Sequence, residues 1–566
     1  MGKGNLHAVP QTGSSLSRPP TENERLAGTD VEAAPHSDSA RHGAPPHRHS
    51  HRRGPAGGAG ARTADVLVGA VLAGYALLLY LPYALRASFL LDDYTMIEHF
   101  RFGTWLPTYR PTFRLEMDGT HALFGDSPRG YYVLLAVMAA AIGVLLYATL
   151  RSLGLSLVPA AMAGTLVVAY PKADSVLLWW SSSSALALCL GLASVWIGSV
   201  WLRRTGWSPG LLVPAMALMA ASVLCYESIF PLFLLLVCFV PLSPRPRRLL
   251  AVAAMECATA CGAALYMFAT EAKARNALPV GAYATRASQL VTGGLRTYPL
   301  GGLGMPTTVG LCFGVGVVVA VAIVVAVCGP ACLTRGLEPP WRLLLTVPLL
   351  AVGAVVSLVP FLPAPSYYVP EGVGVANRVN ALPQVFVVSA IAAAVWFVAR
   401  VVGGWRRPVA AAVIAGAVGV AVVGAFAAAV RSDQSGYLAA ARYRASMIDE
   451  VHRLLPAPPT KGSIVFLGGY VQNEGTPADP AYPTIQNAWD ASATMQLLYG
   501  TVDFSGWTVS PSTECRPTTI FSSLLGADVD VPYRDATIVD IGAHRVLRFS
   551  DQQECLAALP RLAEPS

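Results

Sequence analysis

The stretch 66–87, VLVGAVLAGYALLLYLPYALRA, decides the fold. Its only charge, Arg86, stands next to its end. An α-helix needs about 20 apolar residues to cross the roughly 30 Å hydrocarbon core of a bilayer, so this block reads as a membrane span. Similar blocks recur at 131–150, 155–170, 176–201, 209–225, 229–242, 249–269, 305–328, 343–362, 380–399 and 408–430. About eleven spans are expected, with 229–242 short and the residues around Glu227 forming a tight hairpin. The whole-chain figures agree: of 566 residues, 54% are hydrophobic and 13% charged, with a mean hydropathy of +0.50. Soluble domains carry about twice that share of charge. A soluble enzyme, a disordered chain and a fibrous protein are therefore excluded. The net charge of +7 does not mark a nucleic-acid partner, because the arginines sit in short loops between spans and form no basic stripe.

The distribution of those arginines orients the chain. Arg151, then Arg203 and Arg204, then Arg245, Arg247 and Arg248, then Arg335 and Arg342, then Arg400, Arg406 and Arg407 fall in alternate loops. The positive-inside rule places these loops in the cytoplasm. Residues 1–63, rich in Gly, Pro, Ser, His and Arg, read as a disordered basic cytoplasmic tail. The first span is full length and lacks a small-residue cleavage site, so it is not a signal peptide. The opposite, extracytoplasmic loops are 88–130, 171–175, 270–304 and 363–379, with 431–566 beyond the last span. The expected fold is an α-helical polytopic membrane body over 64–430 with a small extracytoplasmic α/β domain over 431–566. That domain has a helical pattern at 434–455 and strand patterns at 463–468 and within 536–549. Cys515 and Cys555 both lie there, and an oxidising compartment favours a disulfide between them.

Loop 88–130 carries the chemistry. Asp92 and Asp93 follow the first span directly, and Tyr109-Arg110-Pro111, Arg114, Glu116, Asp118 and His121 come after them. Two adjacent carboxylates repel each other, which raises the proton affinity of one and suits a general base; alternatively, they could hold a divalent cation. Nearby arginines offer bidentate donors to a phosphate. A carboxylate base beside arginines at a lipid surface suits transfer of a group from a lipid-linked phosphate to a hydroxyl. The plainer reading is that polar residues merely end an apolar run.

The order span, Asp92-Asp93, aromatic loop, Tyr109-Arg110-Pro111, Phe124-Gly125-Asp126-Ser127-Pro128-Arg129-Gly130-Tyr131, span resembles the GT-C glycosyltransferases, the integral membrane class that uses polyprenyl-phosphate sugars. Tyr170-Pro171-Lys172-Ala173-Asp174-Ser175 before Trp179-Trp180-Ser181-Ser182 is similar to that family's second outer loop. Tyr226-Glu227-Ser228 is similar to its acidic turn. The resemblance covers approximately residues 64–242. It implies inversion at the anomeric carbon, with an Asp of the first outer loop deprotonating the acceptor. That base would be Asp92 or Asp93, with Asp92 preferred because relatives with an Asp-Glu pair use the first residue. It further implies that Arg110, Arg114, Lys172 and Arg378 are candidates for the lipid phosphate. His121, Asp174, Glu227 and Tyr367 join them as candidate substrate-binding residues. The chain departs from the family at Tyr131-Tyr132-Val133-Leu134, where relatives carry histidines and an Asn, and at Tyr226, where a basic residue is common. Donor sugar and acceptor therefore stay open.

Three residues have plainer readings. Tyr367 and Tyr368 fit an interfacial aromatic belt, and Glu256, inside an apolar block, carries no role from sequence alone. Trp489, Asp490, Tyr499 and Trp507 are residue types common in carbohydrate contacts, without a spacing to support it. The expected function is glycosyl transfer from a polyprenyl-phosphate donor to a cell-envelope glycan, glycolipid or protein at the plasma membrane. The rivals are a transporter or lipid-linked-sugar flippase and a non-catalytic scaffold. A transporter would show broken helices repeated in two halves, a pattern the chain lacks; a scaffold leaves the paired acids unexplained.

Overall fold

The computed structural model describes residues 56–90, 92–103, 110–203, 209–270, 280–297, 307–329, 331–334, 339–364, 368–370, 374–404, 407–468, 485, 488–510, 512–524 and 527–563. The basic N-terminal tail, apart from its last eight residues, lies outside them, as do Trp105, Tyr109 and Tyr367. Eight helices among the described residues are long and apolar enough to cross a membrane. They are formed by α1 (Ala56–Ala84), α4 (Pro128–Leu153), α7 (Ser184–Arg203), α10 (Pro246–Thr270), α12 (Thr308–Cys328), α14 (Pro340–Val356) with the turn that carries its span on to Phe361, α15 (Pro383–Val402) and α16 (Pro408–Leu454). The other three apolar blocks fold as shorter pieces. These are α5 (Leu157–Val168), α8 (Pro209–Cys225) and a segment Glu227–Leu242 in which α9 (Leu234–Cys238) is flanked by 3₁₀ turns.

At 1.5 Å per residue, α5 is about 18 Å long, short of a bilayer core. All but one of its residues are buried, so it is walled by protein rather than lipid. The irregular backbone that follows it, through the one-turn α6 (Asp174–Leu177) and a 3₁₀ turn at Trp180–Ser182, is buried too. Non-helical backbone is tolerated at membrane depth only in such surroundings.

Close helix contact rests on small residues. A methyl group added at Gly310 of α12 would run into the Gly424 carbonyl of α16, and one at Gly314 into the Val420 carbonyl. Without a hydrophobic drive between helices in lipid, this backbone proximity is what dispersion requires.

One end of the bundle carries α2 (Asp92–Phe102) and α3 (Pro111–Phe124), packed around Phe89, Ile97, Phe113, Met117, Tyr131 and Trp180. The other end gathers arginines: Arg151 pairs with Asp65 at 2.9 Å, Arg203 donates to the Arg151 and Ser152 carbonyls, and Arg245 donates to Leu202. On the α2–α3 side, the loop expected between 270 and 304 contains an amphipathic helix, α11 (Val280–Thr297), whose buried Arg286 donates to the Tyr368 carbonyl.

The helix-like segment at 434–455 is no separate element. It continues the last span, so α16 runs unbroken for 47 residues into the C-terminal region. There, β1 (Ile464–Gly468) pairs in parallel with β2 (Ser505–Thr508) and β6 (Ala536–Asp540), and β6 pairs antiparallel with β7 (Arg545–Leu547). A second antiparallel sheet is built from β3 (Glu514–Cys515), β4 (Thr519–Leu524) and β5 (Ala527–Pro532). Helix α17 (Ala488–Tyr499) precedes β2, and α18 (Gln552–Ala563) closes the described chain. Cys515 and Cys555 are bonded, Cα atoms 5.9 Å apart, tying β3 to α18.

Candidate functional site

The paired acids diverge. Asp93 is fully buried, and both its oxygens are taken: Oδ2 accepts the Leu90 amide at 3.0 Å and the Tyr132 hydroxyl at 2.9 Å, while Oδ1 accepts the Ser181 amide at 3.0 Å. Burial pushes its carboxyl up to about 6 against the pull of these bonds. The expected cause, repulsion between the neighbours, is not the operative one; desolvation is. Asp92 is partly exposed. Its Oδ1 accepts the Trp489 indole N–H at 2.9 Å, and its Oδ2 lies 3.4 Å from the Arg378 guanidinium.

Arg378 sits on the face of the fully buried Trp179, its Cζ 4.3 Å from the ring centre, and its Nε finds no acceptor among the described residues. It lies within electrostatic reach of Tyr226, Tyr368 and Arg110. Arg110 stands over the Tyr226 ring at 5.4 Å and pairs with Glu227 at 2.6 Å. Segments more than 280 residues apart in the chain thus bring Asp92, Arg378, Arg110 and Glu227 together around Trp179 and Tyr226.

The remaining expected residues take other places. Arg114 pairs with Asp118 on the exposed face of α3. His121 stacks on Phe100 with ring centres 4.2 Å apart, and its Nδ1 meets the Tyr131 hydroxyl, which itself donates to Gly125. Lys172 has a left-handed backbone (φ 63°), and its carbonyl accepts from Asn380. Asp174 is buried as a clasp, accepting from Asn377 and from the Tyr437 hydroxyl of α16. Glu116 is buried beside the Cys225 thiol at 3.6 Å, and burial pushes its carboxyl up to about 7.

The donor set around the paired acids does not suit a divalent cation. N–H and O–H groups surround Asp93, and a guanidinium and an indole N–H face Asp92. A metal ion would have to displace hydrogen-bond donors from both. Among the described residues, no three His, Cys, Asp or Glu side chains cluster to hold a metal.

The C-terminal region reaches this site. Helix α17 packs on α2, and Asp490, next to Trp489, forms a fully buried pair with Arg444 of α16 at 2.6 Å. The Arg444 Cζ lies 3.7 Å from the centre of the Tyr94 ring of α2. Neither this three-element tie nor the Asp92–Trp489 bond has a sequence signal, since partners hundreds of residues apart leave no spacing to read.

No family model and no curated protein matches the chain. Among solved structures it is similar to ArnT from Cupriavidus metallidurans bound to undecaprenyl phosphate, at 15% identity over 77% of this chain and 85% of that one, with a TM-score of 0.35. The apo state of the same protein is similar at 15% identity over 88% of this chain and 89% of that one, with a TM-score of 0.33.

Proposed function

We propose that this chain is an inverting glycosyltransferase that moves a sugar from a polyprenyl-phosphate donor to a hydroxyl acceptor on the extracytoplasmic side of a cell membrane. The acceptor class is a cell-envelope glycan, glycolipid or protein. Residues 64–430 form the membrane body, with 1–63 cytoplasmic and 431–566 extracytoplasmic. The observation that carries this reading is the long Asp92–Arg378 contact, a carboxylate resting on a guanidinium that has a donor to spare.

A lipid phosphate is a better partner for arginine than a single carboxylate oxygen at 3.4 Å, because it offers several charged acceptors at once. Its arrival between Arg378 and Arg110 draws Arg378 away and frees Asp92 Oδ2. Asp92 then takes the proton of the acceptor hydroxyl, and the oxygen attacks the anomeric carbon from the side opposite the phosphate. The bond from that carbon to the phosphate oxygen breaks, its electron pair leaves with the polyprenyl phosphate, and the two arginines stabilise the departing charge. Asp93 acts as a positioning residue: it ties the end of the first span, the Trp180–Ser182 turn and α4 together beneath Asp92.

The test uses the full chain in lipid nanodiscs with a panel of radiolabelled polyprenyl-phosphate sugars. Asp92→Asn should lower transfer by roughly 100- to 10,000-fold, the usual worth of a general base, while donor binding persists. Arg378→Ala should chiefly raise the donor KM, with Arg378→Lys intermediate. Full activity in a folded Asp92→Asn variant would overturn the assignment.

A further inference from the structure

Trp489 is a large aromatic that is 43% exposed although its indole N–H is committed to Asp92. That bond holds the polar edge of the indole on the carboxylate, so the exposed part of this residue lies beside Asp92. The mount is rigid. Asp490 and Arg444 form an ion pair with both side chains wholly buried, Thr494 accepts from the same guanidinium, and the Tyr94 ring covers it. Desolvating such a pair is costly and seldom raises stability over an apolar replacement. Here it locks α17 to α2 and α16 and so fixes Trp489 over the acid.

We infer that Trp489 is the platform of the acceptor subsite and that the acceptor is a saccharide. This rests on the glycosyl-transfer reading above and deepens it. A pyranose presents a flat patch of C–H groups to an indole face while its hydroxyls project from the rim. The aromatic ring combines a large apolar face with a polar edge, the combination such a ligand needs. With its ring on Trp489, a rim hydroxyl comes within reach of Asp92. A Ser or Thr side chain in a peptide has no comparable face and would leave the indole uncovered.

Two measurements test this on the full chain. Saturation-transfer NMR, with no donor present, uses methyl β-glucoside, methyl β-galactoside and methyl α-mannoside, with an acetylated Ser/Thr peptide as the counter-probe. At least one glycoside should receive saturation on its C–H protons from the parent chain and from Asp92→Asn; Trp489→Ala should abolish it and Trp489→Phe should keep most of it. In transfer assays, Trp489→Ala should raise the saccharide KM at least tenfold with the donor KM unchanged. Trp489→Phe, which keeps an aromatic face, should restore that KM. Saturation of the peptide alone, or a Trp489→Ala variant with unaltered saccharide binding and KM, overturns the platform. Saturation without transfer leaves the subsite standing and removes the enzymatic reading, so the two failures are separable.

Discussion

A carboxylate works as a base only if it can surrender an oxygen, and the donors around Asp93 leave it none. Asp92 is partly exposed, and its contact to the Arg378 guanidinium is long, at 3.4 Å. The sequence shows an acidic pair but not how the two split their work, because that depends on Ser181 and Trp489, which lie far along the chain. Burial holds the Asp93 carboxyl near 6, above its ordinary value, and this sets a sign for stability. A raised folded value means the group favours the folded state at low pH and withdraws that contribution as pH climbs from about 4 to about 6. Asp93→Asn cannot titrate, and it sets an amide N–H₂ against one of the three donors, costing about 1–3 kcal/mol. Thermal unfolding in detergent should therefore show the parent chain losing more of its advantage over Asp93→Asn at pH 8 than at pH 5. An advantage that grows with pH would contradict the assigned environment.

Elements show where periodicity suffices and where it does not. The eleven apolar blocks stand out because hydrophobic runs need no partner to be recognised, and each one is helical here. The block 229–242 is short in the sequence already, whereas the protein walls that accept the short α5 come from neighbouring elements and leave no mark in its composition. Helix α17 has no single apolar stripe in AWDASATMQLLY, because its six buried residues include Asp490 and Thr494 and face several elements, among them α2, α16 and β2. At the seam between α12 and α16, Gly310 and Gly314 let the two backbones approach. Gly310→Leu should force them apart, with an overpacking cost of about 1–3 kcal/mol or more, read as a lower unfolding midpoint. Gly316, with open space where a Cβ would go, should accept Leu with little change. In the C-terminal region the Cys515–Cys555 bridge closes a sequence separation of 40. Chain-entropy bookkeeping makes such a loop worth about 4 kcal/mol. Replacing both cysteines with Ser should expose this region to proteolysis ahead of the membrane body, and unchanged protection would show that the sheets hold without the bond.

At the scale of the whole molecule, the two ends of the bundle differ in chemistry. One gathers Arg151, Arg203, Arg245, Arg247 and Arg248; the other holds Asp92, Asp93, Glu116, Asp174 and Glu227, with arginines paired to the acids rather than left in a band. The first pattern is what the positive-inside rule reads, and it was legible from the sequence because charge sidedness is set by composition loop by loop. The second was only half legible. Arg378 joins Asp92 because the 3₁₀ segment Gly374–Asn380 packs on α6, where the Ser175 amide donates to Asn377, an arrangement set by packing and by no local motif. If the arginine-rich end is cytoplasmic, the site opens to the side where polyprenyl-phosphate sugars would be consumed. Single cysteines at Asp118 and at Arg247, in a background where the exposed Cys261 and Cys312 are Ser, give opposite expectations with a membrane-impermeant maleimide on intact cells. The residue at 118 should be labelled at once, and the residue at 247 only after permeabilisation. The reverse result would leave the acids facing the cytoplasm, where the phosphate clamp would meet soluble nucleotide sugars instead, and the lipid-linked donor would have to be abandoned.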